Sequence, residues 1–216
     1  MDSDTLDFIV RTRPTLCEIL TNRGYNAEGY KGVASSELEA LASDKMALTM
    51  IAPKVEGSIA PKERAVVFYM VEAPIRLSLD KQINELFDSG KQVVPIEAES
   101  TEVIILHNES EHDAFTLQAQ RQWATRKAYI SFFPMKVLIS NPARHIMVPP
   151  HRRLQEEEVK TVMTQLSLKS KSELPHIKYH LDMQARVLGL VPGDIVEIKR
   201  PSETAGITTT YRVCVS

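Results

Sequence analysis

Two runs of branched and aromatic residues, Ala65-Val-Val-Phe-Tyr-Met-Val71 and Val103-Ile-Ile-Leu106, do most to limit what this chain can fold into. Both read as strands, and the second, apolar throughout, reads as one buried on both faces. Amphipathic segments separate such runs. Ile75 to Phe87 has helical spacing and a stop signal in Ser89-Gly90, and Glu111 to Lys127 reads as another helix. Met46–Ile51 and Met135–Ile139 are further strand candidates, with a hairpin-like loop over Pro53–Pro61 around Gly57. Ahead of them Leu6, Ile9, Val10, Leu16, Ile19 and Leu20 mark a helix to Arg23. Pro14 interrupts it, so either the helix kinks there or a second one starts there. Helices alternating with strands predict an α/β domain over residues 1–140, a mixed sheet with flanking helices.

Asn141-Pro142 ends that pattern. Residues 141–216 predict a small α+β domain. Val148-Pro149-Pro150-His151 is extended, because residues before proline avoid helical angles. Leu154 to Leu168 is a helix with Val159, Val162, Met163 and Leu166 on one face, and Glu156, Glu157 and Glu158 suit the positive end of its dipole. A short helix over Met183–Leu188 and two strands, Ile195–Lys199 and Ile207–Val215, follow.

Charge separates the two parts. Residues 1–135 carry 14 Lys and Arg against 20 Asp and Glu, and residues 136–216 carry 12 against 8. Phosphate binding runs on basic charge, so the acidic front part is a poor general nucleic-acid binder. The basic part suits an acidic partner or a phosphate backbone. Cys17 and Cys214 make no Cys-x-x-Cys pair and no disulfide framework. They read as buried apolar residues of a reducing compartment. No apolar run reaches the ~20 residues that span a bilayer. The acidic start Met1-Asp-Ser-Asp4 does not resemble a secretory leader.

Catalytic chemistry is sparse. His176 and His180 would share a helix face, but no further zinc ligands accompany them and they read as surface or rim histidines. Glu197-Ile-Lys199, with Asp194 upstream, fits half of a Mg²⁺-dependent nuclease site; the plainer reading is an exposed ion pair opposite an apolar face. No glycine-rich phosphate loop and no Gly-x-Ser-x-Gly elbow occur. Arg144, His145, His151, Arg152 and Arg153 form a modest basic cluster, a solvated link or a phosphate contact. No cofactor and no metal are expected.

The segment Arg200-Pro-Ser-Glu-Thr-Ala-Gly206, between two strands, resembles the signature of the H-type, fifth-largest subunit of archaeal and eukaryotic DNA-directed RNA polymerases. Its neighbours resemble that family in order: Val148-Pro-x-His151, the acidic helix from Glu156, Leu174-Pro-x-Ile177, Asp182 with Ala185-Arg186 and Gly189, Gly193-Asp-Ile-Val196, and Tyr211-Arg-Val213. More loosely, Arg13, Leu16-Cys17 and Asn22-Arg-Gly-Tyr25 resemble the first helix of the eukaryotic form, whose front domain the archaeal subunits lack. There are departures: Gln155 where Ser or Thr caps the acidic helix, Met183 after Asp182 in place of proline, Pro150 beside His151, and Pro14. Gln is the weaker cap, so that helix start is expected to fray.

The resemblance implies a non-catalytic polymerase subunit in the nucleus, or in a viral factory or virion if virus-encoded. It implies a nuclease-like front sheet forming a jaw over residues 1–140 and an assembly domain over 141–216. The partners implied are the largest subunit, other polymerase subunits, and downstream duplex DNA only within the complex, with no membrane and no homo-oligomer. Arg200, Pro201, Ser202, Glu203, Thr204, Ala205, Gly206, Tyr211 and Arg212 become subunit-interface candidates, and His151, Arg152 and Arg153 possible interface or phosphate contacts. A nuclease-like enzyme and a free-standing transcription regulator are the competing readings.

Overall fold

The computed structural model describes residues 3–41, 47–71, 75–88, 95–204 and 206–216. Met46, Ser89, Gly90 and Ala205, singled out above, lie outside the described residues. The chain divides into two compact units, Met1–Asn141 and Pro142–Ser216.

The first unit opens with α1, Ser3–Arg23, a single helix that runs through Pro14. Proline has no N–H to donate one turn back, yet the helix persists because its apolar face is buried: Ile9, Leu16, Cys17, Ile19 and Leu20 are almost wholly covered. A short helix, α2 (Ser35–Leu41), went unread in the sequence. Strands β1 (Met50–Pro53), β2 (Arg64–Met70), β3 (Thr101–His107) and β4 (Tyr129–Pro134) form one sheet in that order. β1 is antiparallel to β2, and β2, β3 and β4 are parallel. The parallel connections are α3 (Ile75–Leu86) and α4 (Asp113–Arg126), the crossover helices that parallel neighbours require. Every residue of β3 is buried, as expected of a central strand covered on both faces. The unit is a mixed α/β layer structure.

Two strand expectations shift. Only residues 50–53 face β2, so β1 starts later than Met46 and ends in Pro53, at a sheet edge where a missing N–H is tolerated. Met135–Ile139 is a 3₁₀ helix and not a strand; the strand is the preceding stretch, and Pro134 closes it. Met135 and Leu138, three residues apart, are the buried pair of that turn, the spacing a 3₁₀ helix stacks on one side.

The second unit holds β5 (His151–Arg153), α5 (Glu156–Gln165), β6 (His176–Lys178), α6 (Met183–Leu188), β7 (Ile195–Ser202) and β8 (Gly206–Val215). The sheet order is β5-β7-β8-β6, antiparallel except for β6 beside β8. Leu154, Val159, Val162, Leu174, Ile195 and Val213 form the core between α5 and the sheet. α5 is shorter than the predicted Leu154–Leu168. Leu154 belongs to the sheet side, its N–H donating to the Ile195 carbonyl (2.9 Å), and Ser167 takes a left-handed φ of 55° that ends the turn. Its start does not fray: the Glu158 carboxylate reaches back to accept the Gln155 N–H at 2.9 Å. α6 needs no proline after Asp182, whose Oδ1 accepts the N–H groups of Gln184 (2.8 Å) and Ala185 (3.1 Å).

Candidate docking surface

β7 pairs with β8 over its whole length, from Ile195 opposite Val213 to Ser202 opposite Gly206. Their neighbours do not follow them. β5 reaches only Val196, Glu197 and Ile198, with one further bond from the Lys199 N–H to the Pro150 carbonyl (3.1 Å). β6 reaches only Val213 to Val215. Residues 200–202 and 206–210 therefore form a two-stranded arm with neither edge in the sheet among the described residues. A lone two-stranded ribbon is marginal in water, and its free N–H and C=O groups are a template for another chain.

The arm is polar and exposed. Lys199, Arg200, Pro201, Glu203, Thr204 and residues 206–209 are all exposed, and Ile207 keeps 70% of its surface in water. Arg200 has no carboxylate partner among the described residues. Gly206, at φ +70°, takes the conformation that an L side chain resists at this turn. The signature residues thus gather at the tip. Tyr211 and Arg212 sit at the base: Tyr211 packs against the core, and Arg212 Nη1 donates to the His176 carbonyl at 3.0 Å.

The β5 residues are elsewhere and engaged. Arg152 pairs with Glu158 (2.7 Å) and Glu197 (3.2 Å), Arg153 with Asp194 (3.0 Å), and His151 Nδ1 lies 2.6 Å from the Pro149 carbonyl. The Gln155 N–H and the Arg152 guanidinium hold the Glu158 carboxyl below its usual range. These pairs also answer the nuclease reading. Asp194 gives one oxygen to Arg153 and the other to the Val191 N–H (2.8 Å), and Glu197 Oε2 lies 3.2 Å from Arg152 and 3.8 Å from Lys199. Both carboxylates are thus engaged in ion pairs with arginine, as the plainer reading expects. His176 lies in β6 and not on a helix, and His180, far from being a surface residue, is buried and stacked edge-on against Tyr179 at 5.1 Å. Burial, then the charges of Lys178 and Arg186, pull the His180 pKa down.

Sequence reading passed over Ile146 and Met147, 93% and 80% exposed. Two large apolar residues flanked by Arg144, His145 and Val148-Pro149 fit no helix or strand period, and that misfit was the available signal.

Residues 140–214 match the family model described as RNA polymerase Rpb5, C-terminal domain. The chain is 45% identical over 75 residues to DNA-directed RNA polymerase subunit Rpo5 of Pyrococcus abyssi, covering 35% of this chain and 89% of that protein. It is 29% identical over 213 residues to DNA-directed RNA polymerases I, II, and III subunit rpabc1 of Dictyostelium discoideum, covering 98% of this chain and all of that one (100%). It is 26% identical over 204 residues to DNA-directed RNA polymerase V subunit 5C of Arabidopsis thaliana, covering 94% and 82%.

Proposed function

This chain belongs to the Rpb5 family of DNA-directed RNA polymerase subunits, and from that membership we propose that it docks on the largest polymerase subunit through the β7–β8 arm. It is a non-catalytic subunit of a multisubunit RNA polymerase, alongside the other subunits of that enzyme. The observation that supports the docking reading is the arm with two unpaired edges and the polar residues Arg200–Thr204 at its tip. A partner strand laid along either edge would satisfy its backbone groups, and Ile207 and Arg200 would supply an apolar and a charged anchor.

In this reading the second unit is the assembly domain. The first unit is a jaw, nuclease-like in its sheet, beside downstream DNA. Its acidic balance makes any DNA contact glancing and dependent on the complex. The protein works in the nucleus. The test is affinity purification of the tagged chain from its native source. The wild type should bring down the large polymerase subunits. Ile207→Asp with Arg200→Glu should lose most of them while remaining folded by circular dichroism. Equal recovery would refute docking through the arm.

A further inference from the structure

The alternation of ladder bonds tells the two edges of the β7–β8 arm apart. In an antiparallel pair every second residue bonds its neighbour, and the ones between turn their N–H and C=O outward. Cys214 donates inward to the Asp194 carbonyl on the β7 side (2.8 Å), whereas Val213 donates outward to the Pro175 carbonyl beside β6 (2.9 Å). On β7 the outward residues include Ile195, whose carbonyl accepts from Leu154 (2.9 Å), and Lys199, which donates to the Pro150 carbonyl (3.1 Å). Odd-numbered residues thus face outward on both strands, and the register keeps that phase to the tip.

Beyond the reach of β5, the outward residue of β7 is Pro201, which has no N–H to give. Lys199 and Arg200 beside it are exposed. Proline and lysine are the residues that keep a stray strand off an edge. Beyond the reach of β6, the outward residues of β8 are Tyr211, Thr209 and Ile207, each with an N–H and a C=O. Pro175 cannot extend the β6 ladder toward them, since it too lacks an N–H. The stretch Ile207-Thr-Thr-Thr-Tyr211 holds no charge and no proline, and every residue in it favours strands. The two faces of the arm differ as well. Ile207 lies opposite Pro201 on the face where Tyr211 packs on the core, and Thr208 lies opposite Arg200 on the other.

On the premise that the arm docks, as above, we propose that the β8 edge, and not the β7 edge, receives an extended segment of the partner subunit, in line with β6 and hydrogen-bonded to Ile207, Thr209 and Tyr211. That segment alternates apolar residues, beside Ile207 and Tyr211, with polar ones beside Thr208 and Thr210.

The test is affinity purification of the tagged full chain from its native source, beside residue-resolved hydrogen exchange of the wild type, free and in the purified polymerase. Thr209→Pro deletes one outward N–H and projects its ring from the β8 edge while sparing the bonds to β7. It should lose most of the large polymerase subunits. In the wild type the amides of Ile207, Thr209 and Tyr211 should exchange about tenfold more slowly, or slower still, in the polymerase than in the free chain. Should Thr209→Pro not fold, the exchange decides alone. Recovery of the large subunits by a folded Thr209→Pro, or equal exchange of those amides in both states, overturns the β8 edge. Docking through the arm then stands if Ile207→Asp with Arg200→Glu still loses the subunits, and falls too if that variant recovers them. A free chain that sediments as a dimer, and as a monomer once Thr209→Pro is introduced, makes a second copy the occupant and overturns the proposal.

Discussion

Replacing Glu102 by leucine strands a cation in a dry interior. Glu102 lies near the start of β3, between Ala65 and Tyr129 in register. Its carboxylate pairs with Arg23 at the end of α1, and both side chains are 0% exposed. The same carboxylate accepts from the Tyr25 hydroxyl at 2.7 Å. Removing one partner of a buried pair typically costs about 3–5 kcal/mol, because the other charge stays buried. A domain holds only about 5–15 kcal/mol in all. With a urea slope near 2 kcal/mol per molar, the midpoint should fall by roughly 2 M.

Removing both charges together should rescue the fold. Arg23→Met with Glu102→Leu removes both charges and should recover about half the loss, leaving the Tyr25 hydroxyl without its acceptor at a cost of about 1–3 kcal/mol. Adding Tyr25→Phe removes that last group and should bring stability within about 1 kcal/mol of the wild type. The assay is urea unfolding followed by fluorescence of Trp123, the single tryptophan, which lies on α4 in the same unit. A loss under about 1 kcal/mol for Glu102→Leu, or a triple variant as weak as the single one, would refute the argument.

Further outcomes follow from the second unit and from the thiols. Asp182→Ala removes an oxygen that accepts two N–H groups and should cost about 1 kcal/mol in urea unfolding. His180 has a folded pKa below its unfolded one, so the unfolded state binds the extra proton first. Its contribution is present above about pH 6.5 and is lost as the pH falls below that; His180→Phe should flatten this dependence in melts from pH 7.5 to 5. Burial raises the pKa of Cys17, and that of Cys214 to about 12, so Ellman's reagent should find neither thiol in the native chain and both in urea.

Much of this fold was legible where one period dominated. α6 matches its predicted bounds because Asp182 and Gly189 punctuate it chemically, one as an oxygen cap and the other as a left-handed stop at φ 67°. The Ala128–Ile139 stretch misled because it is apolar but for Ser131 and Lys136, and little in such a run says where the sheet ends. The answer lay in pairing: Tyr129–Pro134 has β3 beside it, and residues 135–139 pack on α1. The buried Arg23–Glu102 pair was invisible for a similar reason, since the two residues are 79 positions apart and each looks like a surface charge. The signature residues were legible as a turn between strands. That β5 and β6 stop short of it, leaving an arm, required the register.

Hydrogen exchange on the β7–β8 arm tests the central claim most directly. The amides of residues 200–204 and 206–210 that point away from the β7–β8 ladder should exchange rapidly in the free chain. They should become strongly protected when the chain sits in the assembled polymerase. Unchanged exchange across those residues, with protection appearing elsewhere on the second unit, would contradict docking through the arm.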